Sequence, residues 1–411
     1  MNILLLNHYA GAPALGMEYR PYYLAREWVR LGHRVQVLAA DYSHVRSQQP
    51  AAGDEQIDGI HYRWLPTPRY QGNGLGRLRN ILSFLSQTFG TADALAQSLK
   101  PDVVIASSTY PMDIWVAQRI AKAARRAGGA GRLVYEVHDL WPLSPIELSG
   151  MSPWHPFALL CQSAEDTAYR VADHVVSMLP KVQQHMAGRG LDLKKLSIVP
   201  NGISPEEWKG QPAPLRDDVA TAVAQLKAER HVVVGYAGSL GLPNAMDHAL
   251  DAMKQLAGQP VRLVMVGDGH ERERLVRRVA DEGLDNVRWF SPIPKAQVPA
   301  FLASIDIAFI GWQRVPIYRF GIAPNKLMDY MMAGRAVLHA VEAGNDPVAE
   351  AGCGLTVAPE DPADIAAGLQ RLAALKPGER KAMGERGRQF VLRHHSYPVL
   401  AQKFLRAVSP A

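Results

Sequence analysis

Residues 319–337 read RFGIAPNKLMDYMMAGRAV, a stretch that predicts a loop, a helix and then a strand. Pro324 has a fixed φ suited to the first turn of a helix, and Gly334 is typical of a helix end. The N-terminus of such a helix offers free N–H groups and the positive end of the helix dipole, which suits a phosphate. Lys326 adds a cation there, and Asp329 follows three residues later as an acceptor for a hydroxyl. The stretch predicts a site for a diphosphate joined to a sugar ring. An ordinary βαβ turn with a Lys–Asp surface pair is the alternative.

The composition is that of a globular protein with a sizeable core. The chain has 411 residues, of which 47% are hydrophobic and 20% charged, so we expect about two or three domains. The two cysteines, Cys161 and Cys353, are far apart, which argues against a disulfide framework and fits a reducing compartment. No run approaches the ~20 apolar residues of a membrane-spanning helix, and the N-terminus is typical of a first strand rather than a signal peptide. The net charge of +6 suits anionic substrates or an anionic membrane surface and does not by itself indicate nucleic acid.

The first half of the chain alternates apolar runs with helical patterns. This order is typical of a doubly wound α/β fold, in which ligands bind at the carboxyl ends of the strands. The loop at 11–16 lacks the GxGxxG pattern of dinucleotide-binding proteins, so hydride transfer is disfavoured. A helix is predicted over 17–31, where Glu18 and Arg20 either face a substrate or form a solvated ion pair. The predicted strands of this half are 3–6, 34–39, 60–64, 103–106, 133–137, 175–176 and 196–199.

The predicted strand 133–137 is followed directly by His138 and Asp139. An ionisable pair at the carboxyl end of a buried strand lies where α/β enzymes place their chemistry. We expect His138 to exchange a hydrogen bond with a sugar hydroxyl and Asp139 to orient the imidazole. A histidine satisfied within its own loop is the alternative, but the position favours function.

Two segments of the first half suggest a membrane. Arg69, Arg77 and Arg79 surround the start of an amphipathic helix, and basic residues beside exposed apolar ones suit the headgroup region of an anionic bilayer. The alternative is a helix with its apolar face in the core and its arginines in water. The segment 151–160 is apolar and aromatic, which suits a membrane, a lipid acceptor or the start of a packed helix.

A second α/β region follows a proline-rich stretch. We place the boundary there, with domains at 1–205 and 206–396 and a last helix, within 397–411, that returns to the first domain. The glycine loop after strand 232–237 lets backbone N–H groups approach a phosphate closely. Later strands are predicted at 261–266, 287–290, 306–310 and from 336. The predicted fold is α/β, with two Rossmann-like doubly wound domains facing a central cleft.

With these residues in place, the chain resembles the retaining GT-B glycosyltransferases of family 4. It is most similar to the bacterial branch that builds O-antigen and capsule, including N-acetyl-L-fucosamine transferases. The resemblance covers nearly the whole chain. The motifs that carry it are Asn7-His8-Tyr9 with the Gly11/Gly16 loop, Tyr22-Tyr23-Leu24-Ala25, His138-Asp139-Leu140-Trp141-Pro142, Val199-Pro200-Asn201-Gly202, Tyr236-Ala237-Gly238, Val266-Gly267-Asp268-Gly269 and the segment from Asn325 to Gly334.

The resemblance implies a role for each matched position. At the donor diphosphate, the resemblance implies Gly16, the loop with Gly238, Ser239 and Gly241, and Lys326 with the N–H groups of Ile322 and Ala323; Asn325 belongs to the same motif as Lys326. At the nucleotide base it implies Asp268, Gly269 and Pro292. It implies that His138 contacts the donor sugar and Asp329 the ribose.

Two departures from the family pattern affect specificity. Ile322 stands where the family has the first Glu of a Glu-x7-Glu pair, and its side chain cannot hydrogen-bond to sugar hydroxyls, so a deoxy sugar is easier to accept. The Arg and Lys that many members place after the Gly238 loop are missing. Lys326, with Arg319 or Arg314, must then neutralise the phosphates.

The expected reaction needs no protein nucleophile. Once its charge is stabilised, a nucleoside diphosphate is a good leaving group, and its departing oxygen can take the proton of the acceptor hydroxyl on the same face. Positioning and electrostatics then supply most of the catalysis. No Asp-x-Asp motif is present to hold a metal between phosphates, so we expect neither a metal nor a cofactor beyond the nucleotide sugar.

The leading hypothesis is a retaining transferase that uses a UDP-linked sugar. Its expected acceptor is a polyprenyl-diphosphate-linked or other glycan, its location the cytoplasmic face of the plasma membrane, and no nucleic acid is involved. Two alternatives stay open: a nucleotide-sugar epimerase of the same fold, and a non-catalytic module that senses nucleotide sugars.

Overall fold

The computed structural model describes residues 1–16, 19–72 and 74–409. They form two compact units, one made of Met1–Asn201 and the segment from Tyr397 onwards, the other of Gly202–Ser396. The first unit ends a few residues before the boundary expected after residue 205. Each unit is built on a mainly parallel sheet, so the predicted α/β class with two doubly wound domains is confirmed.

Eight strands of the described chain form the sheet of the first unit, in the order β3-β4-β2-β1-β5-β6-β7-β8. Only the edge strand β3 is antiparallel to its neighbour. The strands are β1 (Asn2–Leu6), β2 (Arg34–Ala40), β3 (Gly53–Ile57), β4 (Ile60–Leu65), β5 (Val103–Ala106), β6 (Arg132–Val137), β7 (His174–Ser177) and β8 (Leu196–Ile198). The helices are α1 (Tyr19–Arg30), α2 (Leu75–Gly90), α3 (Ala92–Leu99), α4 (Asp113–Arg126), α5 (Leu143–Ser149), α6 (Pro156–Val171) and α7 (Gln183–Gly188).

The central strands explain why the sheet is parallel and where ligands can reach it. All four residues of β5 are buried, as are Ile3 to Leu6 in β1, because helices pack against such strands on both faces. The carboxyl ends of β1 and β5 are tied together by side chains. Asn7 donates through Nδ2 to the Ser107 carbonyl at 2.6 Å, and the His8 N–H donates to Ser108 Oγ at 3.1 Å. The loops after β1, β5 and β6 therefore meet at one sheet edge.

Six strands of the described chain form the sheet of the second unit, in the order β11-β10-β9-β12-β13-β14, and all are parallel. They are β9 (Val232–Ala237), β10 (Val261–Val266), β11 (Val287–Phe290), β12 (Ile307–Gly311), β13 (Ala336–Ala340) and β14 (Gly354–Val357). The helices are α8 (Asp217–Ala228), α9 (Met246–Gln255), α10 (Arg272–Asp281), α11 (Val298–Ser304), α12 (Asn325–Met332), α13 (Pro347–Ala351), α14 (Pro362–Ala374) and α15 (Pro377–His394).

The last helix, α16 (Tyr397–Val408), groups with the first unit. It packs along α1, where Trp28 donates through Nε1 to the Ala401 carbonyl at 3.2 Å. The rings of Tyr23 and Tyr397 stack with centroids 4.7 Å apart. Among the helices of the described chain, none is long and apolar enough to span a membrane.

Candidate functional site

In the first unit, His138 is held by a buried chain of polar side chains. It follows β6, and its Nε2 lies 2.9 Å from Ser107 Oγ, in the loop after β5. Ser107 in turn donates to Glu136 Oε2 at 2.6 Å, and Glu136 Oε1 accepts from Arg20 Nε at 3.0 Å. The carboxylate of Glu136 is fully buried and lies 3.5 Å from His138 Nε2. The chain of contacts fixes the orientation of the imidazole.

This network also assigns the tautomer of His138. A serine hydroxyl has one proton to donate, and Ser107 gives it to the carboxylate of Glu136. Ser107 Oγ must therefore accept from His138, so Nε2 carries the ring proton. In the neutral imidazole, Nδ1 is then the acceptor, and it can receive a hydrogen bond from a substrate hydroxyl.

Glu136 stays ionised although it is buried. Burial raises the pKa of its carboxyl, but the charge of Arg20 and the hydrogen bonds from His138 and Ser107 outweigh that effect and lower the pKa to about 2. Arg20 also donates to the carbonyls of Pro200 and Val199, at 2.6 and 2.8 Å. The prediction that Arg20 faces a substrate is wrong, because it is buried and its donors are used inside the unit.

Asp139 does not play the part expected for it. Its side chain is exposed, and among the described residues it makes no hydrogen bond to His138. Ser107 and Glu136 orient the ring instead.

Gly16 has φ +98°, and a Cβ there would lie 2.7 Å from Ser47 Oγ, so only glycine fits this close approach. Glu18 lies outside the described residues.

The three arginines proposed to face a membrane differ in their surroundings. Arg77 is partly buried, and its Nε donates to the hydroxyl of Tyr9 at 2.9 Å. Its guanidinium also lies 5.4 Å from the centre of the Tyr9 ring. Arg69 and Arg79 are exposed. Arg77 is thus engaged by Tyr9, and only Arg69 and Arg79 are exposed as the expected membrane surface requires.

In the second unit, Lys326 lies in a cradle at the carboxyl end of β9. Its Nζ donates to the hydroxyl of Tyr236 at 2.6 Å and to Asn244 Oδ1 at 2.9 Å, and it lies 4.2 Å from the centre of the Tyr236 ring. Tyr330, one turn further along α12, donates to the Ala237 carbonyl at 3.1 Å and so fixes α12 against β9. Burial lowers the pKa of Lys326 to about 7.

Glycines let the loops of this cradle approach each other. Gly238 has φ +152°, and a Cβ there would lie 2.5 Å from Lys326 Cε. A Cβ at Gly269, with φ +155°, would lie 2.4 Å from the Leu240 carbonyl oxygen. Both positions need glycine, for conformation and for space.

Asp329 is the second ionisable group of α12 at this edge. Burial raises the pKa of its carboxyl to about 7, a nearby Lys295 lowers it and Glu207 raises it. Lys295 and Glu207 pair with each other at 2.9 Å. The Asp329 carboxylate makes no hydrogen bond within the described chain and is partly exposed, so it is available to hydroxyl donors of a ligand.

Ile322 differs from its expected role. Its N–H donates to Asn345 Oδ1 at 2.7 Å, and Asn345 Nδ2 donates back to its carbonyl at 3.1 Å. The prediction that this N–H holds a diphosphate is therefore wrong, because it is used inside the unit. Its side chain is buried as well. Arg314, offered as a phosphate partner, pairs with Glu342 at 2.9 Å.

The other predicted positions line the same sheet edge. Ser239, Asp268, Pro292, Arg319 and Asn325 are exposed there, whereas Gly241 and Ala323 are partly buried. Asp268 Oδ1 accepts from the Gly269 N–H at 2.8 Å, and the Pro292 carbonyl accepts from Arg216 at 3.1 Å.

Sequence reasoning missed four residues that complete these clusters. Ser107 and Glu136 hold His138, and Tyr236 and Asn244 hold Lys326. Three of them carried a signal: Ser107 directly follows a predicted strand, Glu136 is an acid inside one, and Tyr236 precedes the glycine loop. Asn244 carried none, since only the fold brings it to Lys326.

Family models match both units. A glycosyl transferase 4-like domain matches residues 16–202, and a group 1 glycosyl transferase domain matches residues 231–374. Between them they span most of the chain. Together with the two parallel-sheet units, they identify the chain as a glycosyltransferase of the GT-B type.

Individual proteins are similar to this chain at low identity. A putative colanic acid biosynthesis glycosyl transferase, WcaI, of Escherichia coli K12 is 22% identical over 361 residues, which is 85% of this chain and 86% of that protein. A 2-deoxystreptamine glucosyltransferase of Streptomyces kanamyceticus is 25% identical over 157 residues, 37% of this chain and only 39% of that protein. The structure of Anabaena HepE in complex with UDP and glucose matches with a TM-score of 0.67 at 18% identity, over 100% of both chains.

Proposed function

We propose that this protein is a retaining glycosyltransferase that moves a sugar from a UDP-linked donor to a lipid-linked or other glycan acceptor in surface polysaccharide biosynthesis. The observation that carries the proposal is the cradle of the second unit. There Lys326, held by Tyr236 and Asn244, stands beside the close-packed Gly238 loop, three residues before Asp329. A cation beside a glycine loop suits a diphosphate, and a carboxylate one turn further suits a ribose diol.

The names of two similar proteins support the donor and the pathway. HepE was crystallised with UDP and glucose. WcaI is described as a putative colanic acid biosynthesis enzyme, and it is similar to this chain over most of its length. A UDP-linked donor and a glycan product are therefore the chemistry that we propose here.

In the proposed reaction, the bond between the anomeric carbon and the β-phosphate oxygen breaks while the acceptor oxygen bonds to the same face of the sugar. The acceptor proton passes to the departing phosphate oxygen. Lys326 stabilises the charge of the leaving diphosphate, and Nδ1 of His138 accepts a hydrogen bond from a donor-sugar hydroxyl. Preorganised electrostatics supplies the acceleration, and metal independence stays a prediction that activity in excess chelator would test.

The sugar is the least specified part of the substrate. Ile322 presents a buried apolar side chain where a carboxylate would bind sugar hydroxyls, and its backbone is occupied by Asn345. A deoxy or N-acetylated amino sugar, which needs fewer such contacts, fits this site best.

We also propose that the protein works at the inner face of the plasma membrane. The exposed Arg69 and Arg79 support this location, with Arg77 removed from the set because it contacts Tyr9. Each such charge strengthens binding to an anionic surface by about 1 kcal/mol. Replacing Arg69 and Arg79 with Gln should release the protein from anionic vesicles at low salt. If the wild-type protein does not bind such vesicles, the proposed location is refuted.

A thermal-shift panel of nucleotide sugars tests the donor. A ligand that binds only the folded protein raises the melting temperature. At 100 times its Kd, it adds about 2.7 kcal/mol to the free energy of unfolding. We expect UDP and one group of UDP-sugars to stabilise the wild-type protein and Lys326→Ala to lose most of the effect. No shift with any UDP compound would contradict the proposal. The anomeric configuration of the product, read by NMR, tests retention.

A further inference from the structure

The first unit contains a groove of ≈ 640 Å³ between α2 and α5, at the edge where His138 lies. Most of its lining is apolar, with Leu78 and Ile81 on one side and Trp141, Leu148 and Phe157 on the other. Its volume is in the range of sites that bind small organic ligands. The first unit thus offers a concave site of a size that suits a small organic ligand.

Large apolar side chains stand in solvent around this groove. Leu75 is 84% exposed and Leu148 is 52% exposed, and both line it. Trp154, 81% exposed, lies in the loop between Met151 and His155, which also line it. Single exposed apolar residues are ordinary, but a group of them around one cavity indicates an apolar ligand.

Two charged residues lie at the same groove. Arg77 lines it from α2, and Asp139 lines it directly after His138 in the chain. A ligand in the groove would therefore have its apolar part on Leu78 and Phe157 and an anionic group near Arg77. The groove lining therefore includes the residue that follows the candidate histidine in the chain.

We propose that this groove binds the hydrocarbon chain of a lipid-linked acceptor, with the acceptor's phosphate next to Arg77. The inference rests on the proposed function, since it names the substrate that reaches His138. A concave groove that includes Asp139, next to His138 in the chain, suits one hydrocarbon chain of a substrate better than the flat surface of a bilayer. The cation at the apolar wall complements a phosphate at the head of that chain.

A series of alkyl phosphates, used below their micelle concentrations, tests the groove by calorimetry. Each methylene group that enters should strengthen binding by about fourfold, equivalent to about 0.8 kcal/mol, until the groove is full, and longer chains should then bind no better. Alkyl alcohols of the same length should bind more weakly, because they lack the charge that Arg77 complements.

Two matched variants locate the effect. Leu148→Glu places a charge in the groove at an exposed position, so it should fold normally and bind the alkyl phosphates at least about tenfold more weakly. Leu193→Glu changes a leucine that is 44% exposed elsewhere in the same unit and should bind like wild type. UDP affinity should be unchanged in both, because Lys326 belongs to the other unit.

Three outcomes would overturn the inference: equal binding by the two variants, affinity that rises with chain length without a plateau, and binding of vesicles but not of single-chain phosphates. The last two would indicate a membrane surface. If the wild-type protein binds alkyl phosphates in this way but does not bind UDP, the groove stands and the proposed function fails.

Discussion

The pKa of Lys326 predicts how UDP affinity changes with pH. Burial lowers that pKa to about 7, so the free protein is half protonated there at neutral pH. A diphosphate favours the charged ammonium, and binding must therefore weaken as the pH rises through the pKa. Burial raises the pKa of Asp329 to about 7. Its ionisation has the opposite effect on UDP affinity, because the ionised carboxylate accepts hydrogen bonds from the ribose. We expect wild-type affinity to be greatest near neutral pH.

The size of the change in UDP affinity follows from the fraction of protein whose Lys326 is protonated and can therefore bind UDP. Between about pH 7 and about pH 8.5, the protonated fraction of Lys326 falls from roughly one half to roughly 3%. If only the charged form binds UDP, the Asp329→Asn variant should lose affinity about 16-fold over this interval, or about 1.6 kcal/mol. The wild-type protein should lose about eightfold, because ionisation of Asp329 offsets about a factor of two.

Isothermal titration of UDP across this interval measures the effect. Lys326→Met should bind more weakly by about 1.5–3 kcal/mol near neutral pH and should lose the decline above it. Lys381→Met, which changes an exposed lysine of α15, serves as the control and should follow wild type. In buffers of different ionisation enthalpy, Asp329→Asn should take up about half a proton on binding UDP near pH 7. If Lys326→Met keeps the wild-type decline, another group titrates and the reasoning fails.

Three substitutions test the supporting contacts. Gly238→Ala should displace Lys326, since the new Cβ would lie 2.5 Å from its Cε, and calorimetry should show weaker UDP binding in a folded protein. Ser107→Ala should lower kcat while UDP affinity stays unchanged, because it frees the His138 ring; full activity would remove this serine from the mechanism. Glu136→Gln should lower the free energy of unfolding by about 3–5 kcal/mol in urea, because it leaves the charge of Arg20 buried and uncompensated. The stability that Glu136 contributes should disappear as the pH falls from about 4.5 to about 2, because its folded pKa is the lower one.

The sequence predicts most of this fold because apolar runs and glycines mark the elements of a parallel sheet. The helix expected after Pro324 begins at Asn325, and the last helix, expected within 397–411, covers Tyr397–Val408. The strand β3 was missed, since GDEQI is polar and exposed at a sheet edge and shows no apolar alternation. Helix α8 was missed because it begins at Asp217, just after the proline-rich stretch chosen as the boundary.

The candidate site was predictable only where one chain segment carries it. Lys326 and Asp329 share a helix, and His138 ends a strand, so local pattern sufficed to find them. The partners that set their charge come from other elements, such as Asn244 for Lys326. For Arg20 the sequence left two readings open, contact with a substrate and a solvated ion pair, and only the fold shows that it binds the buried Glu136 instead.

The most direct test of the proposed function follows a labelled sugar. The wild-type protein is incubated with sugar-labelled UDP donors and a bacterial lipid extract, and both released UDP and label in the lipid fraction are measured. A transferase predicts equal amounts of the two for a preferred donor, and neither with Lys326→Met. An isomerised UDP-sugar without UDP release would instead indicate an epimerase, and binding without turnover a sensor; either result would contradict the proposal.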